Sequence, residues 1–169
     1  MSTNLGTAVA RPANAMRQAR PDDAEKLTRI AQAAYGKYVP RMVKAPAPMS
    51  YDYLAWIREG NTYVLEHSGE VAAMITLLPK DDHLMMRNLA VLPAFQGRRL
   101  GHALIDFAEA EAKRRNLPEL RLYTNEKFPE TMPFYKSRGF SETHRAQVDG
   151  YSFIYLSRTL TLFCPRQSS

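Results

Sequence analysis

Two periods organise the apolar residues of this chain. Alternation over a few residues marks strands with one buried face, and recurrence at three and four residues marks the buried stripe of a helix. The firmest helix begins at Leu100. There Leu100, Ala103, Leu104, Phe107 and Ala108 stand at i, i+3, i+4, i+7 and i+8, while Glu109, Lys113, Arg114 and Arg115 fill the other side. Leu27, Ile30, Ala31, Ala34 and Tyr35 carry an earlier helix, opened by Pro21-Asp22-Asp23, whose proline and carboxylates suit a helix start. Ser50 is placed to cap a second helix through Trp56 to Glu59, and Gly60-Asn61 ends it.

Strands are expected at Met16 to Ala19, Thr62 to Glu66, Val71 to Leu78, His83 to Leu92 and Leu120 to Thr124. Ser68-Gly69 and Asp149-Gly150 supply hairpin turns, and Glu130 to Arg138 reads as a short helix closed by Gly139. Gly36 to Met49 holds Pro40, Pro46 and Pro48 and is expected as a surface loop between helices. The order of elements mixes hairpins with one strand–helix–strand crossover. It predicts the α/β (α+β) class: a mixed sheet with helices on both faces.

At 169 residues, with 45% hydrophobic and 24% charged content, the chain has the size of one domain. The expected division is a flexible tail over 1–14, one domain over 15–163 and a C-terminal tail over 164–169. No run is long and apolar enough for a membrane helix and the opening lacks the order of a secretory signal, so the expectation is a cytoplasmic protein with no membrane partner. Cys164 is the only cysteine, and His67, His102 and His144 have no paired spacing, so no metal is expected. A formal charge of +6 suits an anionic partner without saying which.

The crossover narrows that choice, because ligands of open sheets bind beyond the carboxyl ends of strands, at the strand-to-helix turn. Here the turn is Pro93-Ala94-Phe95-Gln96-Gly97-Arg98-Arg99. It enters the N-terminus of the long helix, whose first N–H groups lack intrahelical partners and carry partial positive charge. Gly97 and Gly101 let an anion approach the backbone, and Arg98 and Arg99 add positive charge, so a diphosphate fits.

The string Asn88-Leu89-Ala90-Val91-Leu92-Pro93, followed by Gln96-Gly97-Arg98-Arg99-Leu100-Gly101-His102-Ala103-Leu104, closely resembles the acetyl-CoA-binding motif of the GNAT N-acetyltransferase superfamily, Gln/Arg-x-x-Gly-x-Gly/Ala. Gln96 and Gly101 match its first and last positions. Arg99 stands where the family carries the middle glycine, which is tolerable if its φ is helical. Leu120-Arg121-Leu122-Tyr123-Thr124-Asn125 and Phe134-Tyr135-Lys136-Ser137-Arg138-Gly139-Phe140 resemble the family's later strand and its tyrosine-bearing helix, so the likeness covers most of the chain after Ala15.

That resemblance implies a splayed central sheet of the acyl-CoA N-acyltransferase kind, with acetyl-CoA as cosubstrate and a small amine-bearing acceptor as partner. Leu89, Ala90 and Val91 would pair with the pantetheine arm. Gln96, Gly97, Arg98, Arg99, Leu100, Gly101, His102 and Ala103 would hold the pyrophosphate, with Lys136 and Arg138 near the 3′-phosphate. Asn125 would orient cofactor or substrate, and Tyr135 would be the general acid. Tyr38, Arg41, Met49 and Arg87 fall in segments that shape the acceptor site. Arg87 replaces a carboxylate that many relatives place on this strand. That leaves the base open among Glu126, Asp82 and His83 acting through water, and it favours an acidic acceptor. A homodimer follows from family analogy alone. Two other readings stand beside this one. A non-catalytic acyl-CoA-binding module is raised by Arg87 and the missing glycine. A nucleic-acid-binding domain is raised by Lys113, Arg114 and Arg115, and disfavoured because no aromatic stacking platform accompanies them.

Overall fold

In the computed structural model, which describes residues 14–162, seven strands form one sheet. The strands are β1 (Asn14–Gln18), β2 (Thr62–His67), β3 (Glu70–Pro79), β4 (Leu84–Val91), β5 (Glu119–Asn125), β6 (Ser141–Val148) and β7 (Tyr151–Thr159), in the order β1-β2-β3-β4-β5-β7-β6. Only β4 and β5 run parallel, as the crossover requires; the other neighbours are antiparallel. The expected tails and Cys164 lie outside the described residues, apart from Asn14, which opens β1. No described helix is long and apolar enough to cross a membrane.

Helices cover both faces. α1 (Ala24–Tyr35) and α2 (Tyr53–Arg58) place Leu27, Ile30, Trp56 and Ile57 on Val64, Met74 and Ala90. On the opposite face α3 (Leu100–Arg114) packs Leu104, Ile105, Ala108 and Ala112 on Leu84, Leu120, Leu122 and Leu156. Of the stripe read from the sequence, Leu100, Leu104 and Ala108 are buried and Ala103 and Phe107 are half-buried against them, and Ile105 and Ala112 join the buried face. Leu104 is fully buried, so Leu104→Ala removes apolar contacts and leaves a cavity worth about 2–5 kcal/mol. α4 (Thr131–Ser137) lies beyond β5 and brings Met132, Phe134 and Tyr135 to the same core.

Both hairpin turns form where expected. Ser68 and Gly69, and Asp149 and Gly150, all take positive φ, the geometry that matches strand twist in a two-residue turn. The cap of α2 differs from the expectation. Asp52, not Ser50, accepts the Ala55 N–H at 3.0 Å, while Ser50 ends a 3-10 turn, its hydroxyl bonded to the Ala47 carbonyl. The 36–50 segment is also more ordered than a plain loop, with 3-10 turns at Gly36–Arg41 and Ala47–Ser50 and a buried Tyr38 stacked on Phe128.

Candidate active site

The gap between β4 and β5 creates the site. Their ladder runs only from Leu84 opposite Leu120 to Met86 opposite Leu122, after which β4 continues to Val91 and β5 to Asn125 without pairing to each other. The separation begins at a β-bulge. Thr76 of β3 faces Asn88 and Leu77 faces Met86, leaving Arg87 as an extra residue in β4. Before it Leu84 and Met86 face α3; after it Ala90 joins the core under α1 and α2, while Leu89 and Val91 turn toward α3.

The same strand fixes the peptide directions. The Leu92 N–H donates to the Ala72 carbonyl on β3 at 2.8 Å. Alternation then turns the peptide groups of Leu89 and Val91 into the gap. Their carbonyls accept from the Tyr35 hydroxyl at 2.9 Å and the Gln96 side chain at 3.4 Å. The N–H groups of Leu89 and Val91 face the opening with no partner strand, an edge that an extended ligand with amide groups can pair with. The gap widens into a cleft of about 560 Å³.

At one end of the cleft stands the N-terminus of α3. Gly97 has φ of 79°. Arg99, the residue before α3, has φ of 61° and ψ of 24°, so it is left-handed and not helical as the sequence reading required. A glycine adopts that conformation freely, and an arginine there carries strain of about 1–2 kcal/mol. Gly101 answers a different need. A Cβ at this position meets the Phe134 ring at 3.2 Å, so the small residue lets α4 close against α3.

The cleft wall holds most of the expected cofactor residues: Leu89, Ala90, Val91, Gln96, Gly97, Arg99, Leu100, Gly101, His102, Asn125 and Tyr135. Arg98 and Ala103 are not among the lining residues. Arg98 turns toward the end of β2, 3.3 Å from His67, and Ala103 packs into the α3 core. Arg138 is engaged with Asp106. Burial first, then the charges of Arg99 and Arg138, hold the His102 imidazole below its usual pKa. Asn125 forms the turn after β5, accepting the Lys127 N–H at 2.9 Å, and also faces the cleft.

Tyr135 packs with Phe134 and Phe140 while lining the cleft. Burial, with a smaller effect from Tyr38, pushes its phenol up to about 12, so it is a protonated donor throughout the neutral range.

Of the expected acceptor residues, Tyr38 and Arg87 line the cleft; Arg41 and Met49 do not. Arg41 pairs with Glu130 at 2.5 Å. Among the described residues Glu130 is the only carboxylate on the wall, and its own backbone N–H and Arg41 keep its pKa below the ordinary range. Glu126, Asp82 and His83 do not reach the cleft: Asp82 pairs with His83 and Arg121 elsewhere.

Sequence reasoning missed Tyr35, Tyr51, Tyr123, Tyr151 and Phe153. Tyr35 looked like helix packing, and indeed caps the buried stripe of α1. Its hydroxyl nevertheless also contacts Asn88 at 3.1 Å, whose amide donates to the Tyr53 hydroxyl, a buried polar chain with every member paired.

The acetyltransferase (GNAT) family model matches residues 25–140, more than half of the chain. The chain belongs to the GNAT acetyltransferase family. Solved structures agree on the fold. Ard1 from Thermoplasma volcanium superposes with a TM-score of 0.72 at 22% identity, over 89% of this chain and 99% of that one. The ribosomal-protein-S18-alanine N-acetyltransferase from Escherichia coli gives 0.67 at 19%, over 92% and 99%. PaiA N-acetyltransferase from Thermoplasma acidophilum, solved in complex with coenzyme A, gives 0.67 at 19%, over 88% and 99%. Among curated protein sequences nothing matches this GNAT chain.

Proposed function

We propose that this protein transfers an acetyl group from acetyl-CoA to a primary amine by direct attack. The observation that carries the reading is the parting of β4 and β5 at Arg87, which opens a cleft leading to the bare N-terminus of α3. The residues fit the group. The N–H groups of Leu89 and Val91 suit the amides of a pantetheine arm. The first N–H groups of α3, with Arg99, suit a pyrophosphate. On the cleft wall Lys37, Arg87 and Arg99 outnumber Glu130, which leaves it net positive, as an anionic cosubstrate needs.

The chemistry follows from this placement. The neutral amine nitrogen attacks the thioester carbonyl, a C–N bond forms, the C–S bond breaks, and the nitrogen releases its second proton to solvent. The departing thiolate takes a proton from the Tyr135 hydroxyl, which is restored from solvent. A backbone N–H at Leu89 or Val91 is suited to stabilise the oxyanion.

Among the described residues no unpaired carboxylate lines the wall, so the amine loses its proton to solvent without a side-chain base. An amine of pKa near 10.4 is neutral in about one molecule per thousand at pH 7, a cost of roughly 4 kcal/mol. Acceptors of lower pKa are correspondingly favoured. The test is release of free thiol from acetyl-CoA against polyamines, amino acids, aminoglycosides and short peptides. Turnover with one class is the expected result. Tight CoA binding with no turnover across the panel instead supports the non-catalytic binding module.

A further inference from the structure

On the α2 side of the cleft the lining is aromatic, with Tyr51, Tyr123, Tyr151 and Phe153, and Arg87 lies among them. Its guanidinium carbon lies over the Trp56 ring, 3.8 Å from the centroid. Among the described residues no carboxylate pairs with it, although most other arginines of the chain are engaged with acids. A guanidinium held over an indole ring with no acid beside it keeps N–H donors available to a ligand. That presentation matches the two oxygens of a carboxylate.

Arg87 also lies apart from the phosphate end. It is the bulged residue where the gap opens and it faces α2, whereas α3 begins on the opposite face of the sheet. The walls around it are tied together: the Tyr151 hydroxyl donates to the Ala45 carbonyl at 2.6 Å and Lys44 reaches the Asp149 carbonyl at 3.2 Å. These bonds join the 36–50 segment to the β6–β7 hairpin, an enclosure that suits a small molecule.

Resting on the transferase reading above, we propose that the acceptor is a small amine bearing its own carboxylate and an aromatic or bulky apolar body. Arg87 binds the carboxylate, and Tyr51, Tyr123 and Phe153 enclose the body. Arg87 is then a specificity-determining residue that acts on acceptor binding and not on the reacting atoms.

Trp56 is the only tryptophan, so its fluorescence reports directly on the site. With CoA present, N-acetyl-L-phenylalanine and N-acetyl-L-phenylalaninamide are titrated against the wild-type protein, Arg87→Met and Arg87→Lys. The two ligands differ only at the C-terminal group, an anionic carboxylate in one and a neutral primary amide in the other. The acid is expected to bind about tenfold or more tighter than the amide, as a charge-assisted pair implies. That preference disappears in Arg87→Met and is partly kept in Arg87→Lys. Equal affinities in the wild type, a preference that survives Arg87→Met, or binding of neither ligand overturns the proposal. Thiol release with L-phenylalanine and 2-phenylethylamine separates this from the transferase reading. Equal turnover of both overturns the carboxylate site and leaves the transferase standing. A carboxylate preference in binding with no turnover does the reverse.

Discussion

The Tyr35 hydroxyl donates to the Leu89 carbonyl at 2.9 Å and so ties α1 to the strand edge that faces the cleft. The same hydroxyl lies 3.1 Å from the buried Asn88 side-chain oxygen. Tyr35→Phe removes the donor from both acceptors while preserving the ring. The expected loss is about 1–3 kcal/mol of stability in urea unfolding. CoA affinity should fall with it, because the Leu89 peptide is no longer held; unchanged affinity would mean that β4 alone sets this edge.

Arg99 at φ of 61° gives a second expectation. Arg99→Gly relieves the left-handed strain, offset by the greater chain entropy of glycine, for a net gain of roughly 0.5–1 kcal/mol in unfolding free energy. The same change removes a charge from the α3 terminus. CoA should therefore bind more weakly at low salt, with a shallower dependence on ionic strength. Isothermal titration at two salt concentrations reads both effects.

The elements around this site were legible to different degrees. α3 could be read from periodicity because its stripe meets the sheet over its whole length. The Gln96 to Gly101 turn could be read because its residue types suit an anion-binding helix start. The bulge at Arg87 could not, since it is defined by the partner strand's register and leaves no mark on local alternation. The left-handed Arg99 was hidden for a related reason: an arginine gives no signal of positive φ. Arg98 and Arg99 look alike in sequence, and only the fold sends one toward His67 and leaves the other in the cleft. Asp52 replaced Ser50 as cap because the chain turns 3-10 at Ala47–Ser50 before the helix begins.

The raised pKa of Tyr135 has a defined sign. Folded, the phenol titrates near 12; unfolded, near the ordinary 10. The unfolded chain therefore loses its proton first, and the contribution of this group to stability, complete below about pH 10, is lost as pH rises toward 12. In kinetics, kcat/KM should climb with pH until the amine is neutral, then hold with no fall near pH 10. A fall centred at 10 would place the acid in a solvated setting and contradict the burial of Tyr135. Rates corrected for unfolding in the same buffers check this.

Whether the β4–β5 cleft transfers acetyl with Tyr135 as its acid is decided by one comparison. Free-thiol release at saturating acetyl-CoA and acceptor is measured for the wild type and Tyr135→Phe, with CoA affinity measured in parallel. With Tyr135 as the acid, kcat falls by about 10²–10⁴ in the variant while CoA affinity stays nearly unchanged. An undiminished kcat in Tyr135→Phe would contradict it.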